Sequence, residues 1–279
     1  MLSGVLIGIL ATFFGLAVGS FTCVVIDRLP LALDEPNEYG DLWDTRPWNE
    51  VLGGRSRCSS CGTPVKNIEN IPVFAWLVLR GKCRTCGASI GAFHLLVEAG
   101  VPILGWVVFA QLGAHWTTLP VLLLIPVGLA VMVIDARTLI VPTRVIWPSF
   151  FVSVALCVGV ALGLGHARWL IGGLIGIATL AGPLALLWFA MPKAMGFGDV
   201  RLTTLLGWTV GFMGAMATDR PVLLAILSLI VMILASVGGI ILGVVTKVGF
   251  GRQMPFGPSL VLAALAVSTY TDWFLSPFR

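Results

Sequence analysis

Apolar residues run through this chain in long unbroken stretches. They do not follow the alternating or every-third-residue patterns of water-soluble elements. Stretches at roughly 2–26, 94–113, 117–136, 144–164, 168–191, 200–217, 221–246 and 257–275 are each long enough for a helix to cross a hydrocarbon layer of about 30 Å. The connections after residue 94 are short and marked by Pro, Gly or a charge. A closed membrane barrel would need alternating strands of about ten residues, so the pattern predicts about eight transmembrane helices. No Lys or Arg precedes the first stretch, and its length is that of a full span. An uncleaved first helix is therefore expected in place of a secretory signal, which has a basic start and a shorter apolar core.

Composition agrees. The 279 residues are 58% hydrophobic and 11% charged, against about 25% charged in a soluble domain. A water-soluble globule, a disordered chain and a disulfide-rich scaffold are excluded. The charges are also concentrated. Sixteen of the 30 Lys, Arg, Asp and Glu residues lie within 27–84, and four of the six cysteines lie within 58–86, which marks a water-exposed insert between the first two spans. With the N-terminus outside, 14 of the 17 basic residues fall on the cytoplasmic side and three outside. That asymmetry sets the orientation: N-terminus out, insert in the cytoplasm. The expected division is a first transmembrane helix (1–26), a cytoplasmic insert (27–93) and a seven-helix membrane bundle (94–279).

Within the insert, Cys58-Ser59-Ser60-Cys61 and Cys83-Arg84-Thr85-Cys86 are two Cys-x-x-Cys pairs, each followed by glycine (Gly62, Gly87). Each pair can aim two thiolates at one point, and two such turns build a tetrahedral four-sulfur site for structural zinc. In a reducing cytoplasm metal fits better than a disulfide; redox use is the alternative. Cys23 and Cys157, in apolar runs, read as packing residues. His94, His115 and His166 fall at predicted helix ends, where interfacial solvation is expected.

Past the insert only Glu98, Asp135, Asp199, Asp219 and Asp272 are acidic. An acid in or near bilayer is costly and functional by default. Asp135 ends one span and Asp199 opens another, both on the cytoplasmic side of the expected topology. The bland alternative is that each caps a helix or pairs with Arg137 or Arg201. Asp199 at a helix start suits the helix dipole, whereas Asp135 at a helix end does not. Gly196 and Gly198 before Asp199 permit close backbone approaches. Two facing carboxylates share one proton and titrate as a pair, so that one acts as base and the other as acid. Such a pair can hydrolyse a peptide bond; a proton-coupled transporter using the same acids is the rival. Gly172, Gly173 and Gly176 read as close helix packing. No phosphate-binding loop, dinucleotide fingerprint or nucleic-acid motif is present, and the pattern sets no oligomeric state.

Five ordered motifs resemble the bacterial type IV prepilin peptidases, Gly-x-Gly-Asp aspartic proteases. They are Gly19–Pro30; the Arg55–Cys86 region with Asn70-Ile71-Pro72 and Arg80-Gly81; Ile134-Asp135 with Pro142; Gly196-Phe197-Gly198-Asp199 with Gly207; and Pro255-Phe256-Gly257-Pro258. The resemblance implies an inner-membrane enzyme that cuts short basic leaders from type IV prepilins or type II secretion pseudopilins. Many family members also methylate the new N-terminus with S-adenosylmethionine. Carried over by motif, Asp135 and Asp199 are the catalytic pair and Cys58, Cys61, Cys83 and Cys86 the zinc ligands. Glu98 is a candidate for substrate binding or methyl transfer, with helix packing the alternative. Ser59, Cys23, Phe93-His94-Leu95 and Thr143 depart from the family pattern.

Overall fold

In the computed structural model, residues 2–30, 47–192, 196–246 and 254–278 are described. The expected charges at Asp34, Glu35, Glu38, Asp41, Asp44, Arg46, Lys193, Lys247, Arg252 and Arg279 lie outside them. The described residues are helical apart from turns and two isolated β-bridges. The elements are α1 (Leu2–Arg28), α2 (Trp48–Leu52), α3 (Phe74–Val78), α4 (Ala92–Leu112), α5 (Leu119–Thr138), α6 (Thr143–Gly163), α7 (Arg168–Gly176), α8 (Gly182–Ala190), α9 (Phe197–Ala217), α10 (Pro221–Val245), α11 (Gly257–Thr269) and α12 (Thr271–Leu275). Proline in the first turn opens α5, α8, α10 and α11, where its missing N–H costs nothing.

Among the described residues six helices are long and apolar enough to cross a membrane, α7 to α8 counting as one, and a seventh span arises if the bent pair α11 and α12, which turns by 82°, is counted as one. The protein is a multi-pass membrane protein. Each predicted span falls on helix, with two differences of detail. The 168–191 stretch contains a π-turn at Ile177–Ala181 between α7 and α8, and the last stretch breaks at Tyr270. The remaining predicted span, α9, is less apolar because it carries Asp199, Arg201 and four glycines. It can do so because protein surrounds it: every residue from Leu205 to Ala215 is buried. The outer helices show the reverse, with Phe14 72% and Phe189 81% exposed. A soluble monomer rarely shows apolar faces on this scale, whereas hydrocarbon solvates them at no cost.

The chain divides into two compact units, residues 1–107 and 108–279. In the first, α1 and α4 pack through small residues. A Cβ on Gly15 would lie 2.9 Å from Pro102 Cβ and one on Gly19 2.8 Å from the Glu98 backbone. Trp106 Nε1 donates to Thr12 Oγ1 at 3.1 Å. Positions 8, 12, 15 and 19 thus form one stripe of α1, the spacing that lets two membrane helices approach closely.

In the second unit α9 is the central post, packed by α5, α6, α7, α8, α10 and α11. Its contact with α7 is backbone on backbone. A Cβ on Gly211 would meet Gly172 O at 2.1 Å, and one on Gly176 would meet Gly207 O at 2.0 Å. The glycines of the 172–176 run do therefore serve close packing, which holds the helix that carries Asp199.

Candidate active site

Asp135 sits in the last turn of α5. The helix stops four residues later at Leu139, whose left-handed backbone (φ 58°) sends its N–H to Asp135 O at 2.8 Å. The side chain is 4% exposed, and its Oδ2 accepts the N–H of Gly257, 122 residues away, at 2.8 Å. Gly257 is the first residue of α11. The unfavourable dipole at the end of α5 is thus offset by the positive N-terminal end of a second helix. A Cβ on Gly257 would lie 2.7 Å from Asp135 Oδ2, so glycine is required for this approach.

Asp199 is the third residue of α9 and half-buried. The start of α9 is held by its own neighbours. Phe197 packs against Trp188 at 4.6 Å between ring centroids, and the Arg201 guanidinium lies 4.6 Å over the Phe197 ring. Arg201 also donates to Thr143 Oγ1 at the start of α6, which gives the unusual Thr143 a role. Thr203, fully buried, returns its hydroxyl to Asp199 O at 2.8 Å. Gly198 faces Val141, whose Cβ would be 2.7 Å from an added methyl; this places the 139–142 turn, just past Asp135, against the turn that carries Asp199. The turns that carry Asp135 and Asp199 are thus neighbours.

Asp135, Asp199 and Gly198 are therefore brought together, with Gly257 and Val141 as participants that the residue pattern did not assign. Pro255-Phe256-Gly257-Pro258 was visible as a motif, but the partner of its glycine was not. Gly196 has extended backbone (φ −72°, ψ 143°); among the described residues a Cβ there would find nothing nearer than 3.9 Å, the N of Gly198. Glu98 belongs to the first unit. Half-buried in α4, it accepts the Val73 N–H on Oε2 at 2.6 Å. His94 is not simply solvated: its Nε2 is 2.7 Å from Asp27 Oδ2.

The four cysteine sulfurs of the insert lie within 4.8 Å of one another. Cys58 and Cys86 are 3.8 Å apart and Cys61 and Cys83 4.0 Å. A tetrahedral ion with metal–sulfur bonds of about 2.3 Å needs sulfurs about 3.8 Å apart, so the four could hold a metal ion. The two loops repeat each other. Gly62 N bonds Cys58 O and Gly87 N bonds Cys83 O, both at 2.9 Å. Arg57 bridges to Pro64 as Lys82 does to Ser89. Gly62 and Gly87 have φ of +69° and +71°, a region that glycine enters at little cost. Thr63 supplies its hydroxyl and backbone beside the Cys61 sulfur and brings that thiol down to about 6, toward the thiolate that binds metal.

Residues 13–112 match the bacterial peptidase A24 N-terminal domain, and residues 122–244 match the type IV leader peptidase family. The prepilin leader peptidase/N-methyltransferase of Aeromonas hydrophila is 32% identical over 96% of this chain and 94% of its own length. Proteins of the same description from Pseudomonas putida (32%, covering 94% of this chain and 90% of the relative) and Neisseria gonorrhoeae (29%, covering 97% and 96%) align as fully. No solved structure matches. With both halves matched in order and relatives aligned almost end to end, the chain belongs to the type IV leader peptidase family.

Proposed function

We propose that this protein is an aspartic endopeptidase of the bacterial inner membrane that removes the leader from type IV prepilins or from pseudopilins of type II secretion. What supports the reading is the packing of Gly198 on Val141, which sets the turn of Asp199 against the turn after Asp135, with the Gly257 N–H on Asp135. One carboxylate takes a proton from water as its oxygen attacks the scissile carbonyl carbon. The other protonates the carbonyl oxygen; as the C–N bond breaks, the first gives its proton to the leaving nitrogen and the second takes a proton back from a hydroxyl of the tetrahedral intermediate. Asp135 Oδ2 is held by the backbone N–H at the start of α11, so it needs little reorganisation during reaction.

Gly196 supports substrate binding. Among the described residues nothing crowds its free side, and an extended peptide can lie against such backbone. Gly196→Ala is expected to raise KM about tenfold with unchanged thermal stability, since a lost close contact costs about 1.4 kcal/mol; a matching loss of stability would make Gly196 structural instead. Gly198 is the supporting residue, holding the turn against Val141.

Zinc is the metal suited to Cys58, Cys61, Cys83 and Cys86. It would be structural, because four sulfurs leave no position for a reacting group. The basic-residue asymmetry supports an outside N-terminus and a cytoplasmic insert. On this reading residues 1–26 are the first span, 27–93 the insert and 94–279 the catalytic bundle. The relatives' descriptions extend the reading to N-methylation of the new N-terminus, with S-adenosylmethionine as methyl donor and Glu98 as a candidate for that step or for substrate binding. Mass spectrometry of a co-expressed prepilin tests both activities, because leader loss and methyl addition change the N-terminal mass separately. An uncleaved prepilin beside well-expressed protein would refute the peptidase reading.

A further inference from the structure

The insert carries apolar side chains that its own fold leaves uncovered. In α3 the inner face is Ala75 and Trp76; Ala75 is buried, and the Trp76 indole N–H reaches Ile90 O at 3.3 Å. Phe74, Leu77 and Val78 occupy the opposite face, 55%, 57% and 62% exposed. Their i, i+3, i+4 spacing puts them side by side. Ile71, immediately before α3, and Ile68, in the short turn packed on it, are also exposed. A soluble insert of this size has no reason to show five large apolar side chains between its two metal knuckles.

Its depth is fixed by polar contacts within the first unit. The Asp27–His94 pair joins the end of α1 to the start of α4 and marks the wet boundary of those spans. Glu98 is one helical turn further into α4, about 6 Å along the axis. Glu98 holds the N–H of Val73, the residue that precedes Phe74. Val73 takes φ +63° to be there, a conformation rare for a β-branched residue. The start of α3 is thus drawn to the membrane side of the charged pair. Residues 47–91 carry six Lys or Arg and two acids, and one acid, Glu69, is bound by Arg84 at 2.9 Å. A basic segment with an apolar face is what an anionic bilayer surface attracts.

We propose that α3 is an interfacial anchor: Phe74, Leu77 and Val78, flanked by Ile68 and Ile71, dip into the lipid surface beside α1 and α4. The insert is then a membrane-bound module, and Glu98 is the residue that sets its depth.

Replacement of Phe74, Leu77 or Val78, one at a time, by photoreactive p-benzoylphenylalanine tests this in the full-length protein. The protein is reconstituted in vesicles of mixed phosphatidylethanolamine and phosphatidylglycerol, and covalent lipid adducts are measured by mass spectrometry. Position 14 in α1 is the positive control and position 60, exposed on the first knuckle, the negative one. Lipid adducts at 74, 77 and 78 are expected about tenfold above position 60 and near position 14, as apolar burial in the interface requires. Yields at the level of position 60 would overturn the proposal. So would adducts that move from lipid to added prepilin, which would make the face a substrate-docking surface. Neither outcome depends on cleavage, so the peptidase reading stands or falls separately.

Discussion

The cysteine insert and the aspartate site are both convergences of a few polar atoms, built in opposite ways. The four sulfurs come from two short loops with the same backbone, and each loop closes on itself through N–H bonds spanning four or five residues. The two carboxylates come from helices 64 positions apart in the chain and are completed by a glycine 122 residues from Asp135. The first is a local structure that a bound metal would lock. The second exists only when α5, α9 and α11 are packed, and α9 is seated by backbone contacts to α7 that tolerate no side chain. The insert should therefore fail alone, whereas the aspartate site should fail through distant packing.

The largest expected effect separates chemistry from fold. Asp135→Asn or Asp199→Asn should lower prepilin cleavage by ~10³-fold, the scale of a lost acid or base, with zinc content of the purified protein unchanged. Loss of zinc in these variants would show that the two regions are not independent. Next is packing around the site. Gly198→Ala should cost ~10²-fold in kcat, the scale of a displacement of about 1 Å, and Val141→Gly should restore part of it, because the clash is with the Val141 side chain. No rescue would place the fault in the backbone of the turn.

Third, Cys58→Ser or chelation should release the metal and open the segment around residues 56–90 to hydrogen exchange, because metal binding is folding energy in such modules. Exchange in α5, α9 and α11 should not change; if those helices open too, the insert supports the bundle. The smallest effect concerns Glu98. Glu98→Ala leaves the Val73 N–H without its partner and should cost about 1–2 kcal/mol, read as faster exchange confined to residues near 73. Glu98→Gln, which keeps an acceptor, should restore most of it.

Much of this was legible in the residues. The spans followed from unbroken apolar runs, and the cysteine site from two adjacent motifs whose spacing contains their geometry. Asp135 and Asp199 stood out because acids are scarce in an apolar chain. Gly257 could not be assigned, because a glycine states that space is short without naming what fills it. Val141 and Thr143 were hidden for a related reason: their roles depend on which turn lies opposite. The helix-end position of Asp135 suggested an unfavourable dipole; the second helix end that offsets it is visible only in three dimensions. The π-turn was also missed, since it does not interrupt the run of apolar residues; the break at Tyr270 was missed although the polar run Ser268–Asp272 coincides with it.

By itself, then, the amino-acid sequence determined that this protein spans a membrane many times, carries a cysteine insert and keeps two acids near helix ends. Those properties depend on transfer free energy and on short-range geometry, both of which are written along the chain. Tertiary structure decided that the turn carrying Asp199 packs on the turn after Asp135, that Gly257 holds Asp135 and that Glu98 in α4 holds the Val73 N–H of the insert. Those are contacts between residues far apart in the chain, and only the packing of glycine-lined helices brings them within hydrogen-bonding distance.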